Sequence, residues 1–163
     1  NDVSALNHDP ESINVIKKSK CFIILMHMQG NPQTMQKNPK YNFAPKDIYF
    51  FLKKQIIKCE KNNIKKNRII IDPGIGFGKT SIHNIQILQN LRIFHKLRCN
   101  ILVGLSRKRL ISDLSNKEKP ADRLPGTIAA NQYALDQGAD IIRVHDVKEA
   151  LQAKLIWQTL QKK

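Results

Sequence analysis

Four short apolar segments constrain this chain more than any other feature: Cys21–Met26, Arg68–Asp72, Asn100–Ser106 and Ala139–His145. Apolar runs of strand length, without polar alternation, are what strands buried on both faces require. Between them lie stretches with apolar residues at helical spacing. Residues 45–63 carry Ile48, Phe51, Leu52, Ile56 and Cys59 in such a pattern. Further helical segments are expected over 9–19, 81–97, 107–115, 120–137 and 147–161. Regular alternation of strand and helix means an α/β fold with a parallel sheet and helical crossovers. A closed barrel and an open flavodoxin-like sheet both satisfy that pattern. Both place ligands at the C-terminal ends of strands, and Asp72, Ser106, Arg143 and His145 all fall there.

At 163 residues the chain has the length of one domain. Its longest apolar run is too short to cross a bilayer, and no charged-then-apolar leader opens it, so it reads as soluble. Three cysteines (Cys21, Cys59, Cys99) without CxxC spacing point away from disulfides and zinc ribbons, toward a reducing cytoplasm. The net charge of +15 would suit a nucleic-acid binder. The lysines are instead spread along helices, as at Lys46, Lys53, Lys54, Lys58, Lys61, Lys65 and Lys66, without interleaved aromatics. The expected partners therefore exclude nucleic acid and membrane, and the surface suits an anionic substrate.

Three clusters carry candidate chemistry. The segment 72–80 nearly matches a Walker A loop, but Pro73 stands where that motif needs glycine. It also fails as a dinucleotide fingerprint, because Lys79 occupies the place of the third glycine. What remains is a carboxylate, Asp72, before a glycine-rich loop whose backbone can approach a ligand closely. The second cluster, Gly104–Lys108, offers a hydroxyl, a guanidinium and an ammonium to an anion. In the third, strand alternation projects Arg143 and His145 together while Val144 packs on the opposite side. His27 and His83 lack metal-ligand spacing, so Met26–Met28 reads as pocket lining.

Taken together, these blocks resemble the dihydropteroate synthase family. The matching segments are 1–2, 25–32, 71–79, 103–108, 123–126 and 142–146. The resemblance implies a (β/α)₈ TIM barrel of the pterin-binding type. It also implies a transferase of folate biosynthesis that condenses 6-hydroxymethyl-7,8-dihydropterin pyrophosphate with p-aminobenzoate, releasing pyrophosphate. A complete barrel has eight strands in about 250 residues, so residues 1–163 correspond to its C-terminal half, from the end of strand 4. By motif, Asp72, Lys108, Arg143 and His145 take catalytic roles. Asn1, Met26, Gly76, Phe77, Gly104, Ser106 and Val144 join Lys108, Arg143 and His145 in binding substrate. Asn1 and Asp72 would hold the pterin, Arg143 and His145 the pyrophosphate, and Phe77 and Ser106 would border p-aminobenzoate. The family's Mg²⁺ would find its ligand outside this chain, which supplies no metal residue. The resemblance further implies a homodimer through the C-terminal helices, and a sulfonamide target. Some members carry serine after the strand-7 lysine; here it is Arg109. Rival readings are a methyltetrahydrofolate-handling methyltransferase barrel, a catalytically dead half-barrel and a basic binding module.

Overall fold

The structure, a computed structural model, describes residues 1–161. Its sheet contains β1 (Ile23–Met26), β2 (Ile69–Asp72), β3 (Asn100–Val103) and β4 (Ile141–Ile142). All neighbours are parallel, and their order in space is their order in sequence. That progression distinguishes the two architectures left open above. A doubly wound sheet reverses its strand order at a switch point, whereas a barrel winds in one direction. The crossovers carry α2 (Ala44–Lys61), α3 (Ser81–Gln89), α4 (Arg109–Leu114) and α5 (Leu124–Asp136), with α1 (Ser12–Ser19) before β1 and α6 (Val147–Gln161) last. Ahead of α1, Asp2 bridges in parallel to Leu25, its N–H donating to Ile24 O at 3.0 Å. The described strands form an arc rather than a closed ring.

Register defines the two faces of this arc. Ile23, Leu25, Ile69, Ile71, Ile101 and Val103 are buried and pack in the core that includes Ile48, Leu52, Ile56, Ile87 and Phe94. The opposite, inner face carries Ile24, Ile70 and Asn100 in one row across the strands, Met26 paired with Asp72, and Leu102 paired with Ile141. Ile24 and Ile70 are only half-buried, and Asn100 is exposed.

The observed elements are shorter than the sequence pattern suggests. Strand β4 contains two residues, yet Asp140 and Arg143 still donate to Ile101 O (2.9 Å) and Val103 O (3.0 Å), so the chain stays alongside β3 beyond it. The helix expected over 81–97 breaks at Asn90, whose side chain bonds Gln86 O at 2.9 Å, and residues 91–97 continue as a 3₁₀ segment. Asparagine favours helix ends for this reason. The segment 120–137 likewise divides into a short 3₁₀ turn, Pro120–Asp122, and α5, with Pro125 in its first turn.

A buried lysine ties the first two strand ends together. Lys79 Nζ donates to Gly74 O and Phe77 O, both at 2.8 Å, to His27 O at 3.2 Å, and lies 3.0 Å from His27 Nδ1. Burial, then the lysine's charge, drives the His27 pKa down to about 3, so its imidazole is neutral, and Nδ1 shares a Lys79 N–H with the His27 carbonyl. Burial also lowers Lys79, to about 7. Gly74 allows this closeness: its φ is +70°, and a Cβ there would lie 1.9 Å from His27 O.

Two expectations follow. Residues 1–163 expressed alone should melt broadly and self-associate. β4 is an open edge and Phe22, Val147 and Leu160 are exposed, each large side chain forgoing about 1.5–3 kcal/mol of burial. Calorimetry with sedimentation measures this; a sharp two-state melt from a monomer would contradict it. The second concerns Lys79→Met in the protein as its gene encodes it. A folded-state pKa below the ordinary 10.5 means that charging Lys79 opposes folding, a cost fully present below about pH 7 and relieved as pH rises toward 10.5. The destabilisation caused by Lys79→Met should therefore grow from pH 7 to 10, by at most about 1.4 kcal/mol per pH unit. Denaturant unfolding at both pH values checks it, and a pH-independent cost would count against it.

Candidate active site

The centre of the site is Asp72, the last residue of β2, only 5% exposed at the C-terminal end of the arc. One carboxylate oxygen accepts the Gly74 N–H at 2.7 Å, which closes the turn through Pro73. Burial pushes the Asp72 carboxyl pKa up. The Gly74 N–H and the charges of Lys108, Lys79 and Arg143 oppose that shift. One buried carboxylate thus faces three cations from three different loops. Lys108 lies between the glycine loop and β3: its Nζ donates to Ile75 O, and sits 4.7 Å from the centroid of the Phe77 ring. Burial lowers its pKa to about 8, with Asp72 opposing and Arg143 assisting.

Arg143 reaches this group over a position without a side chain. A Cβ on Gly104 would stand 3.2 Å from Arg143 Nη2 and 3.4 Å from its Nε, so the guanidinium lies against the glycine backbone. A cavity of about 380 Å³ follows, lined by Gly104, Ser106, Arg107, Lys108, Pro120, Arg143 and His145. Arg143 and His145 are exposed into it, while Val144, between them, lines an apolar cavity against α5 and α6. The alternation expected from the sequence is present. Such a cationic recess, with side-chain donors at its rim, is built to bind an anion.

A second cavity, about 610 Å³, opens on the other side of Lys108 and is lined by Met35, Gln36, Gly76, Phe77, Lys79, Thr80, Ser81, Asn84, Lys108, Arg109, Leu110 and Asp113. Lys108 borders both cavities. Phe77 and Ser106 line different ones, and the Ser106 hydroxyl engages His145 at 2.9 Å. Met26 is buried beside Asp72 in the strand register, and Asn1, exposed, precedes the bridge that pairs Asp2 with Leu25. Asp72, Lys108, Arg143, His145, Gly76, Phe77, Gly104 and Ser106 therefore gather at one end of the arc.

Several residues that shape the site were not singled out in the sequence. Buried Asn84 accepts the Gly76 N–H at 2.9 Å through Oδ1, Gln36 donates to Gly76 O at 2.8 Å, and Tyr41 donates to Gly78 O at 2.8 Å. The long loop before α2 thus braces the glycine loop through its side chains. Arg107, the guanidinium that the sequence offered to an anion, is instead paired with Asp146, Nε to Oδ2 at 3.0 Å, and joins the loops after β3 and β4. Lys79 left one sequence signal: a lysine inside a glycine-rich, apolar stretch, paired in pattern with His27 at an apolar strand end. Among the described residues, no three of His, Cys, Asp and Glu cluster as a metal site.

Comparison with known proteins agrees with this geometry. Residues 1–145 match the family model described as pterin binding enzyme. The chain is 43% identical to dihydropteroate synthase of Escherichia coli (strain K12), across 100% of this chain and 57% of that protein. It superposes on dihydropteroate synthase from Xanthomonas albilineans in complex with 7,8-dihydropteroate with a TM-score of 0.91 and 36% identity, covering 99% of this chain and 60% of that one. The Thermus thermophilus enzyme in complex with 6HMPPP gives 0.93 and 33%, covering 99% and 63%. The chain thus spans less than two thirds of the length of these relatives, and its arc superposes on part of their fold. It belongs to the pterin binding enzyme family.

Proposed function

We propose that these residues form the C-terminal half of a dihydropteroate synthase active site, with 1–163 belonging to a single barrel domain. The observation that carries the reading is the buried Asp72 carboxylate set beside a separate cationic recess. A pterin edge presents paired N–H donors, which a carboxylate accepts without needing a proton of its own. Asp72 has one oxygen engaged by Gly74, and its remaining lone pairs suit those donors. Lys108, between the two cavities, would reach the pterin carbonyl side, and the flat Arg143 guanidinium suits stacking on the ring.

In this reading pyrophosphate occupies the recess of Arg143 and His145. The bond from the pterin methylene carbon to the pyrophosphate oxygen breaks, leaving its electron pair on the departing group. Arg143 and His145 stabilise that charge, while the Asp72 carboxylate favours the pterin-stabilised cation. The amine of p-aminobenzoate, held in the cavity of Phe77 and Arg109, then forms the new C–N bond and loses a proton. Arg109 is largely exposed and contacts Asp113 through Nε at 3.4 Å, which leaves its terminal N–H groups to meet the p-aminobenzoate carboxylate. The family resemblance implies Mg²⁺ at the pyrophosphate, but the described residues gather no ligand set that fits it, and no step here passes through it. Homodimerisation through the C-terminal helices is supported by the exposed apolar residues Val147, Leu151, Leu155 and Ile156 of α6. A cytoplasmic location accords with three free cysteines.

Turnover of the two substrates to 7,8-dihydropteroate by the protein as its gene encodes it tests the reading directly. Asp72→Asn in that protein should weaken pterin pyrophosphate binding and turnover together. It replaces two acceptors by one acceptor and one donor, a buried mismatch of about 1–3 kcal/mol, or roughly one to two powers of ten. Titration calorimetry measures the affinity; an unchanged value would remove Asp72 from the pterin site.

A further inference from the structure

The loops after β3 and β4 meet at a single hydroxyl. The backbone N–H of His145 donates to Ser106 Oγ at 3.2 Å, and His145 Nδ1 lies 2.9 Å from the same oxygen. Ser106 is 6% exposed, whereas His145 is open to the recess. A serine oxygen accepts through two lone pairs and donates one proton. With one lone pair given to the backbone N–H, two arrangements remain for the ring. If Nδ1 carried the imidazole proton, Ser106 would accept twice and its own buried O–H would have no acceptor among the described residues, which is the expensive arrangement. If Nδ1 is bare, the O–H donates to it, and the buried hydroxyl both accepts and donates. The ring proton then resides on Nε2, on the side of the imidazole away from Ser106.

We propose that Ser106 is a positioning residue for His145: its hydroxyl sets the Nε2–H tautomer and aims that donor into the anion recess. Serine here serves the imidazole rather than a substrate directly. The identity of the anion as departing pyrophosphate rests on the function proposed above, but the tautomer assignment does not. The surrounding loops are anchored independently. Arg107 pairs with Asp146, its N–H donates to Thr127 Oγ1 at 3.0 Å, and Arg123 Nη1 donates to Arg107 O at 3.0 Å. Removing one hydroxyl therefore leaves the two loops joined.

The test uses ¹⁵N-histidine NMR on the protein as its gene encodes it, at about pH 9, above the ordinary histidine range. Wild type should show His145 as the Nε2–H tautomer. Ser106→Ala should relax the ring to the mixture of a free imidazole, in which Nδ1–H becomes populated, and Ser106→Thr, which keeps the hydroxyl, should restore the single tautomer. In turnover, Ser106→Ala should lower kcat about tenfold, the equivalent of one hydrogen bond, with KM for p-aminobenzoate unchanged and Ser106→Thr recovering the loss. An Nδ1–H tautomer in wild type, or a tautomer indifferent to Ser106→Ala, would overturn the proposal while pteroate formation continued. Absence of pteroate formation by wild type would instead overturn the leaving-group role and the proposed function together, with the NMR result still deciding what Ser106 does to the ring.

Discussion

A carboxylate removed from water must be compensated, and Asp72 is where that requirement falls in this protein. At the end of β2 it is almost entirely buried, and isolation in a low-dielectric environment would drive it to protonate. The Gly74 N–H and the charges of Lys108, Lys79 and Arg143 oppose that push without cancelling it. These three cations come from the loops that follow β2, β3 and β4. The electrostatic need of one side chain thus specifies how three crossovers must end. Lys108 and Arg143 in turn border the recess that contains His145, so the geometry of the anion site depends on the same carboxylate.

The sheet makes this convergence possible. Parallel strands in sequential order present all their C-terminal ends on one side, and their register places Met26 beside Asp72 on the inner face. Beyond the strand ends, the loops are held by side chains inserted from elsewhere. Lys79 fastens the glycine loop to the backbone of His27, Asn84 and Gln36 hold Gly76 by its N–H and its carbonyl, and Arg107 with Asp146 joins the last two loops. The glycines are where these approaches are closest, since a Cβ at Gly74 would collide with His27 O and one at Gly104 would crowd Arg143. A loop packed this tightly can hold ligand-facing groups in place without closing on them.

The strands and the strand-end residues were legible because burial on both faces leaves uninterrupted apolar runs and makes their polar ends conspicuous. Asp72, Arg143 and His145 stood out for that reason, and the alternation that separates Val144 from its neighbours held. The glycine loop was harder. Lys79 appeared there as a residue that spoils two nucleotide motifs, whereas the structure uses it as a buried fastener whose partners are carbonyl oxygens. Carbonyls have no sequence signature, so such a role is invisible until the backbone path is known. Ser106 had the same fate: its partner, His145, is 39 positions away in sequence, and the bond exists only because β3 and β4 are neighbours. Choosing between a barrel and an open sheet likewise required the order of strands in space, which hydrophobic periodicity does not encode.

The central claim is that the cations around Asp72 act on its carboxyl, opposing the upward push of burial. The most direct measurement is ¹³C-carboxyl NMR titration of Asp72 in the natural protein and in the Lys108→Met variant. The midpoint should move upward when the Lys108 charge is removed, because a nearby cation favours the charged form. A midpoint that ignores the loss of Lys108, or that moves downward, would contradict it.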